Sequence, residues 1–478
     1  MTRAMDNPAV LSTTRGKLIL ALLCSVGFLD FMDAVIVNVA LPSIQHRLDF
    51  SEPGLQWVAT GYLLTYGGFM LLGGRAADLI GRRRVLVVGV VVFALASLVG
   101  GFATTALLLV GARLFQGAGA ALMMPAALSL VTTTFEEGSD RHRALGAWGA
   151  MIGLASTAGV LLGGVLTEYF GWRAVLLINP IICAVLLASI YRLLPDDRHR
   201  APSRDFDTAG AILSTGGVLL LVYAVVEAPH AGWDSLSTIG RLAGAAVLLV
   251  LFVVNEYRQP NPLMPLSIFR VRGLAAADAT QLIAIAGFLS MFFFLTLYMQ
   301  NVLGYSALKT GLVYLPLTFG VGIGAGGSTK LIPLIGTRPL IVGGCVLASA
   351  GVFLLSRLPV DGEFLTDLLP GMMVVAVGLG TVLVSVTNAA NAGVSPDQAG
   401  LAASLLNSSQ QLGGALGLAV LTTLATSHTT HLLHAGTAPP EALASGFGRA
   451  LLASSIAVLI AAVIGLRTYN TRTNDAPM

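Results

Sequence analysis

Gly74-Arg75-Ala76-Ala77-Asp78-Leu79-Ile80-Gly81-Arg82-Arg83-Arg84 separates two long apolar runs and decides how the rest of the chain is read. Its core, Leu79-Ile80-Gly81 followed by Arg83, returns as Leu334-Ile335-Gly336 followed by Arg338, about 255 residues later. Gly117-x-Gly119 has an echo in Gly378-x-Gly380. Repetition at that distance implies two homologous halves with further chain inserted between them. Within the segment, Gly74 and Gly81 let two helix ends approach closely and turn tightly. Asp78 suits a helix amino terminus or an arginine, where it would latch two elements together. Arg82, Arg83 and Arg84 serve either that latch or plain anchoring at a membrane surface.

The flanking runs demand lipid. Of 478 residues, 55% are hydrophobic and only 11% charged, with a mean hydropathy of +0.82. Soluble domains carry roughly 25% charged residues, so no soluble core and surface can be cut from this composition. Apolar runs of about 20 residues, enough to cross a bilayer as a helix, begin near Leu18, Leu55, Val85, Ala106, Ala144, Ala174, Thr208, Thr238, Leu274, Leu308, Pro339, Asp367, Leu401 and Phe447. They lack the period-two alternation of a barrel. The expected fold is an all-α integral membrane protein of about fourteen transmembrane helices. Residues 18–194 and 258–467 form two halves of about six helices each, with an inserted helix pair at 208–257. Residues 195–207 are the expected cytoplasmic linker, and 1–17 and 468–478 the cytoplasmic ends. The run from Leu18 to Leu41 is too long for a signal-peptide core and carries Asp30 and Asp33, so it reads as an uncleaved first span.

Loop charge sets the orientation. Alternate connections, beginning with Arg15 and Lys17, hold about twenty Lys and Arg, against about six on the opposite side. That places both termini in the cytoplasm, and the expected location is the plasma (inner) membrane. The net charge of +3 is no signature of nucleic-acid binding. Cys24, Cys183 and Cys345 each lie in an apolar run and read as small buried hydrophobes rather than disulfide or metal ligands.

Three spans carry polar residues that lipid would not tolerate. The first reads Leu29-Asp30-Phe-Met-Asp33-Ala-Val-Ile-Val-Asn38-Val-Ala-Leu-Pro42. An ionised Asp at a helix centre costs about 2.5–3.5 kcal/mol on insertion scales, so Asp30 and Asp33 either line an aqueous cavity or bond to another helix. The fourth reads Gly111-Ala-Arg113-Leu-Phe-Gln116-Gly117-Ala-Gly119-Ala, with a guanidinium that needs a carboxylate or water. The fifth holds Gly153, Gly159, Gly163 and Gly164, small residues that permit close helix packing.

With the Gly74–Arg84 segment, these stretches resemble the major facilitator superfamily, and within it the fourteen-helix drug:proton antiporter branch. The loop segment matches G-x-x-x-D-x-x-G-R-[RK]-[RK] throughout. The first span is similar to L-D-x-T-I-V-N-V-A-L-P, with Met32 and Val35 replacing the usual Leu and Thr. The fifth is similar to G-x-x-x-G-P-x-x-G-G, with Val160 in place of the proline. The resemblance implies that Asp30 or Asp33 partners Arg113, that Gln116 and Asn38 border the same proton-coupling or substrate cavity, and that Asp278 is a second-half acid facing substrate or the helix end. It also implies that Gly74, Asp78, Gly81, Arg82 and Arg83 form a conformational-switch loop and that Gly159, Gly163 and Gly164 pack helices.

Weaker features are Glu227 and Glu256 at the ends of the inserted pair, and His428, His431 and His434, which read as an exposed polar loop rather than a metal site. The expected function is export of hydrophobic or cationic small molecules in exchange for protons by alternating access. Uptake by symport on the same fold is the alternative, and a membrane enzyme or sensor a remote one. No P-loop or H-E-x-x-H is present, so neither ATP drive nor a zinc-protease site is encoded. The expected partners are the substrate, protons and lipid, with no nucleic acid, no ATP and no cofactor beyond the coupling proton, for a monomer.

Overall fold

The computed structural model describes residues 11, 13–135, 139–195, 207–260, 262–394 and 399–471. Among them are fifteen α-helices: α1 (Thr14–Leu48), α2 (Glu52–Ile80), α3 (Arg82–Gly101), α4 (Ala106–Thr134), α5 (Ser139–Phe170), α6 (Trp172–Leu193), α7 (Thr208–Ala231), α8 (Leu236–Arg258), α9 (Leu274–Leu297), α10 (Ala307–Val313), α11 (Leu315–Ile335), α12 (Thr337–Leu355), α13 (Leu369–Asn391), α14 (Ala399–His434) and α15 (Pro439–Gly465). No strand occurs among these residues. Eleven helical segments are long and apolar enough to cross a membrane by length and composition, α10 and α11 counting as one segment, Ala307–Ile335. Large side chains such as Leu107, Phe115, Leu236 and Val250 stand exposed on their outer faces, as a lipid-immersed bundle requires. Most of the expected linker and parts of both termini lie outside the described residues.

Helix starts follow their capping residues. Thr13, Ser51, Thr105 and Ser235 each accept a hydrogen bond from a backbone N–H of the following first turn, satisfying a donor the helix leaves free. The connection between α2 and α3 is shorter than the sequence suggested. Gly81 alone separates them, and Arg82, Arg83 and Arg84 form the first turn of α3 instead of a loop. Gly81 has φ +115° and its repeat counterpart, Gly336, φ +86°, a region L side chains rarely adopt. Gly81→Ala is expected to store about 1–3 kcal/mol of strain and lower the thermal unfolding midpoint in detergent. Gly322→Ala, whose Cβ meets open space, is not expected to lower it. Equal midpoints for the two variants would refute the turn's role.

The repeat is visible in the packing. Gly159 and Gly163 of α5 press on the carbonyls of Met32 and Ile36 of α1, and Gly413 and Gly417 of α14 press on those of Leu282 and Ala286 of α9. Gly119 of α4 lies against Gly89 and Phe93 of α3, and Gly378 of α13 against Gly344 and Ala348 of α12. Gly378 is thus the counterpart of Gly119, two positions away from the register the Gly-x-Gly echo suggested. A two-glycine pattern carries no information about which glycine meets the neighbouring helix.

The halves meet where α2 crosses α14, with Gly67 against Gln411 and Leu412, and where α5 meets α10, with Gly164 against Ala307. At the end remote from Gly81, Gln300 Nε2 donates to Val39 O at 3.0 Å and Asn301 Nδ2 to Gln45 Oε1 at 3.5 Å. Gln300 and Asn301 sit on a π-helical turn, Tyr298–Val302, that continues α9. α7 and α8 pack on each other, and Thr215 of α7 donates to Gly68 O of α2 at 2.8 Å. The pair thereby lies beside the seam between the halves, α7 touching both α2 and α14, with the apolar face of α8 outward.

Candidate functional site

Five helices of the first half converge on one carboxylate. Asp33 of α1 is fully buried. Its Oδ2 accepts from Arg113 Nη1 of α4 at 2.7 Å, and its Oδ1 accepts from Gln116 Nε2 at 2.9 Å and from Asn179 Nδ2 of α6 at 2.6 Å. Arg113 Nη1 also donates to Gln116 Oε1 at 2.7 Å, and Nε to Val58 O of α2 at 2.9 Å. The guanidinium stacks over Tyr62 with its carbon 4.3 Å from the ring centroid. Ser97 of α3 closes the set. Its hydroxyl donates to Leu176 O at 2.9 Å, so its oxygen can only accept from Gln116 and Asn179. That constraint fixes both amides with their nitrogens toward Asp33. A buried ion pair survives in a low-dielectric interior when its remaining lone pairs and protons are satisfied, and here the carboxylate has three donors.

Asp30 follows a different course. Lying three residues before Asp33, it is turned about 60° around the helix and faces α2. There Tyr62 Oη donates to Oδ1 at 2.5 Å and Tyr66 Oη to Oδ2 at 2.9 Å. Tyr62 therefore touches both acidic centres, donating to one carboxylate through its hydroxyl and lying under the partner of the other. Asn179, Ser97, Tyr62 and Tyr66 were missed in the sequence, since a single polar residue in an apolar run has no pattern of its own. Asn179 beside Pro180 and the i, i+4 tyrosines are the signals that were available.

The other candidates lie apart from this cluster. Asn38 bonds back to Ala34 O of its own helix at 2.9 Å. Asp278 is buried near the start of α9, with neither carboxylate oxygen partnered among the described residues. Gly74 faces Pro125 of α4 in its own half and Ser404 of α14 across the seam between the halves, each 3.8 Å from where a Cβ would stand. The backbone of Asp78 is helical, and its side chain lies outside the described residues. Arg83 lies 5.4 Å from the ring centroid of Tyr191 in α6. Glu256 accepts from Met264 N at 2.7 Å, tying α8 to the chain that follows it. The histidines correct the sequence reading: all three sit on α14, which continues to His434, and His428 contacts Ser445 and Arg449. The apolar run ends before them, but nothing in those residues breaks a helix. Among the described residues no group of three His, Cys, Asp or Glu could hold a metal.

A buried carboxylate–guanidinium pair between α1 and α4 of a duplicated helical bundle is the arrangement the motifs implied. The profile of the Major Facilitator Superfamily matches residues 23–418. The chain belongs to the major facilitator superfamily. It is similar to the puromycin resistance protein pur8 of Streptomyces alboniger, 39% identical over 96% of this chain and 92% of the relative. The cephamycin export protein CmcT of Amycolatopsis lactamdurans is 38% identical over 95% and 92%. A solved bacterial homologue of the human lysosomal transporter Spinster, inward-facing and unoccupied, shares the fold with a TM-score of 0.65, at 17% identity over 95% of this chain and 97% of that one. This superfamily member is accordingly a multi-pass membrane protein that transports small molecules.

Proposed function

We propose that this transporter exports hydrophobic or cationic small molecules across the plasma membrane, antibiotics among them, in exchange for protons. The observation carrying this is the buried Asp33–Arg113 pair, ionisable groups held inside a membrane-spanning half, the default mark of a proton or substrate pathway. The relatives named for puromycin resistance and cephamycin export support the outward direction. In this reading α2, α5 and α14 also cross the membrane, giving fourteen spans, and the excess of basic residues at the Gly81 end puts that end and both termini in the cytoplasm. The polypeptide works alone, and no chemical step accompanies transport. One residue favours the second reading, symport: Val160 stands where the antiporter motif has its proline.

Everted membrane vesicles separate the two. Imposing an acidic lumen should drive substrate accumulation inside, and an uncoupler should abolish it. Substrate moving out of such vesicles with the protons would reverse the assignment to symport, and accumulation indifferent to the uncoupler would end proton coupling altogether.

A further inference from the structure

The end of the bundle remote from Gly81 carries only about six Lys and Arg, in keeping with the positive-inside bias. Two of them, Arg357 and Arg449, stand at a single pocket of about 650 Å³. It lies between the far ends of α12, α14 and α15. Its floor is apolar, with Phe353 and Leu452 each 40% exposed. From Leu452 an exposed stripe of Ile456, Leu459 and Val463 runs down α15, a surface suited to hydrocarbon and not to water. Charge and apolar surface therefore meet at the level where a span leaves the membrane.

The charges there do not cancel. Arg449 Nη1 bonds to His428 Nδ1 at 3.0 Å, and arginine can only donate, so Nδ1 accepts. The proton of His428 is then on Nε2, which donates to Ser445 Oγ at 3.0 Å, and the ring is neutral. Arg357 lies over Phe353, its guanidinium carbon 4.9 Å from the ring centroid. Neither arginine has a carboxylate at ion-pair distance among the described residues. Glu441 also lines the pocket, in the first turn of α15, where the helix's amino end already favours a carboxylate. Two guanidiniums against one carboxylate leave a single positive charge above an apolar floor. A phosphodiester with one negative charge and attached acyl chains complements both features, because guanidinium forks match phosphate oxygens and basic pockets between spans hold anionic headgroups. We propose that this pocket binds an anionic phospholipid of the phosphatidylglycerol class, with its phosphate between Arg357 and Arg449 and an acyl chain along α15. In the orientation given above, that lipid belongs to the outer leaflet. The site does not depend on the direction of transport.

The test uses the full-length protein in lipid nanodiscs with a tryptophan placed on the pocket floor, Phe353→Trp. Bromine on an acyl chain quenches an indole it touches, so the added emission reports the lipid at this position alone. Brominated phosphatidylglycerol should quench it with at least about fivefold higher apparent affinity than brominated phosphatidylcholine. Adding Arg357→Gln and Arg449→Gln should bring the two lipids within about twofold of each other. Arg241→Gln with Lys309→Gln removes as much charge from the same end and should leave the preference intact. Ser445→Asp gives Arg449 an internal carboxylate and should also erase the preference, which keeps the question answerable if the double arginine variant fails to fold. An undiminished preference in both pocket variants, an equal loss in the Arg241 and Lys309 control, or no preference without these changes each overturns the proposal. Relief of the quenching by free inorganic phosphate would make this a site for soluble anions and overturn the lipid assignment.

Discussion

Asp33→Asn is expected to abolish uphill export while the protein still inserts and folds. The amide is nearly isosteric but carries no charge, takes up no proton at physiological pH, and turns either the acceptor of Arg113 or the one shared by Gln116 and Asn179 into a donor. Accumulation in vesicles under a pH gradient should fall to the passive level, while exchange of labelled substrate without a gradient persists. The energetics make the loss large. One proton crossing about 150 mV supplies about 3.5 kcal/mol, at roughly 2.3 kcal/mol per 100 mV. At about 1.4 kcal/mol per factor of ten, that sustains a gradient of a few hundredfold for a neutral substrate. Wild-type accumulation by Asp33→Asn would remove this residue from the coupling step.

Arg113→Lys is expected to lose most transport although it keeps the charge. The guanidinium meets Asp33, Gln116 and the carbonyl of Val58 in three fixed directions while stacking on Tyr62. An ammonium is a point charge on a flexible stem and cannot reproduce that fork. Transport in proteoliposomes should fall by at least about tenfold, with an altered pH profile. Arg113→Ala should in addition destabilise the fold by about 3–5 kcal/mol, since it strands a buried carboxylate. A lysine variant with the rate and pH profile of the wild type would show that charge alone suffices and that the planar geometry is incidental.

Much of this arrangement was legible in the sequence, and the reasons differ from residue to residue. Asp33, Arg113 and Gln116 stood out because lipid penalises them and because their segments match a known pattern. Which aspartate met the arginine was not legible. The answer depends on the 60° that separates Asp30 from Asp33 around α1, and on where α2 and α6 happen to stand. Asn179 and Ser97 are uncharged, short and isolated in sequence, so only packing reveals that they complete the carboxylate's shell. The Leu-Ile-Gly turns carry the repeat in the sequence, but its register in α13 is visible only in the contacts of Gly378. The histidine stripe was read as loop from polarity, whereas helix α14 outlasts its apolar part.

One feature of the duplication bears on how such a protein changes over generations. The two halves share a backbone plan, yet the residues matching Arg113 and Gln116 in the second are Met372 and Val375, buried hydrocarbon. Copying the scaffold did not leave a second copy of the charge. Substitutions at those matching positions of α13 therefore meet ordinary van der Waals surfaces that tolerate repacking of similar volume. Those at Arg113 or Gln116 disturb an ion pair on which five helices converge. Selection by a new toxin would find its freedom in one half and its constraint in the other, so that lineages diverge in what they expel while inheriting one unaltered ion pair.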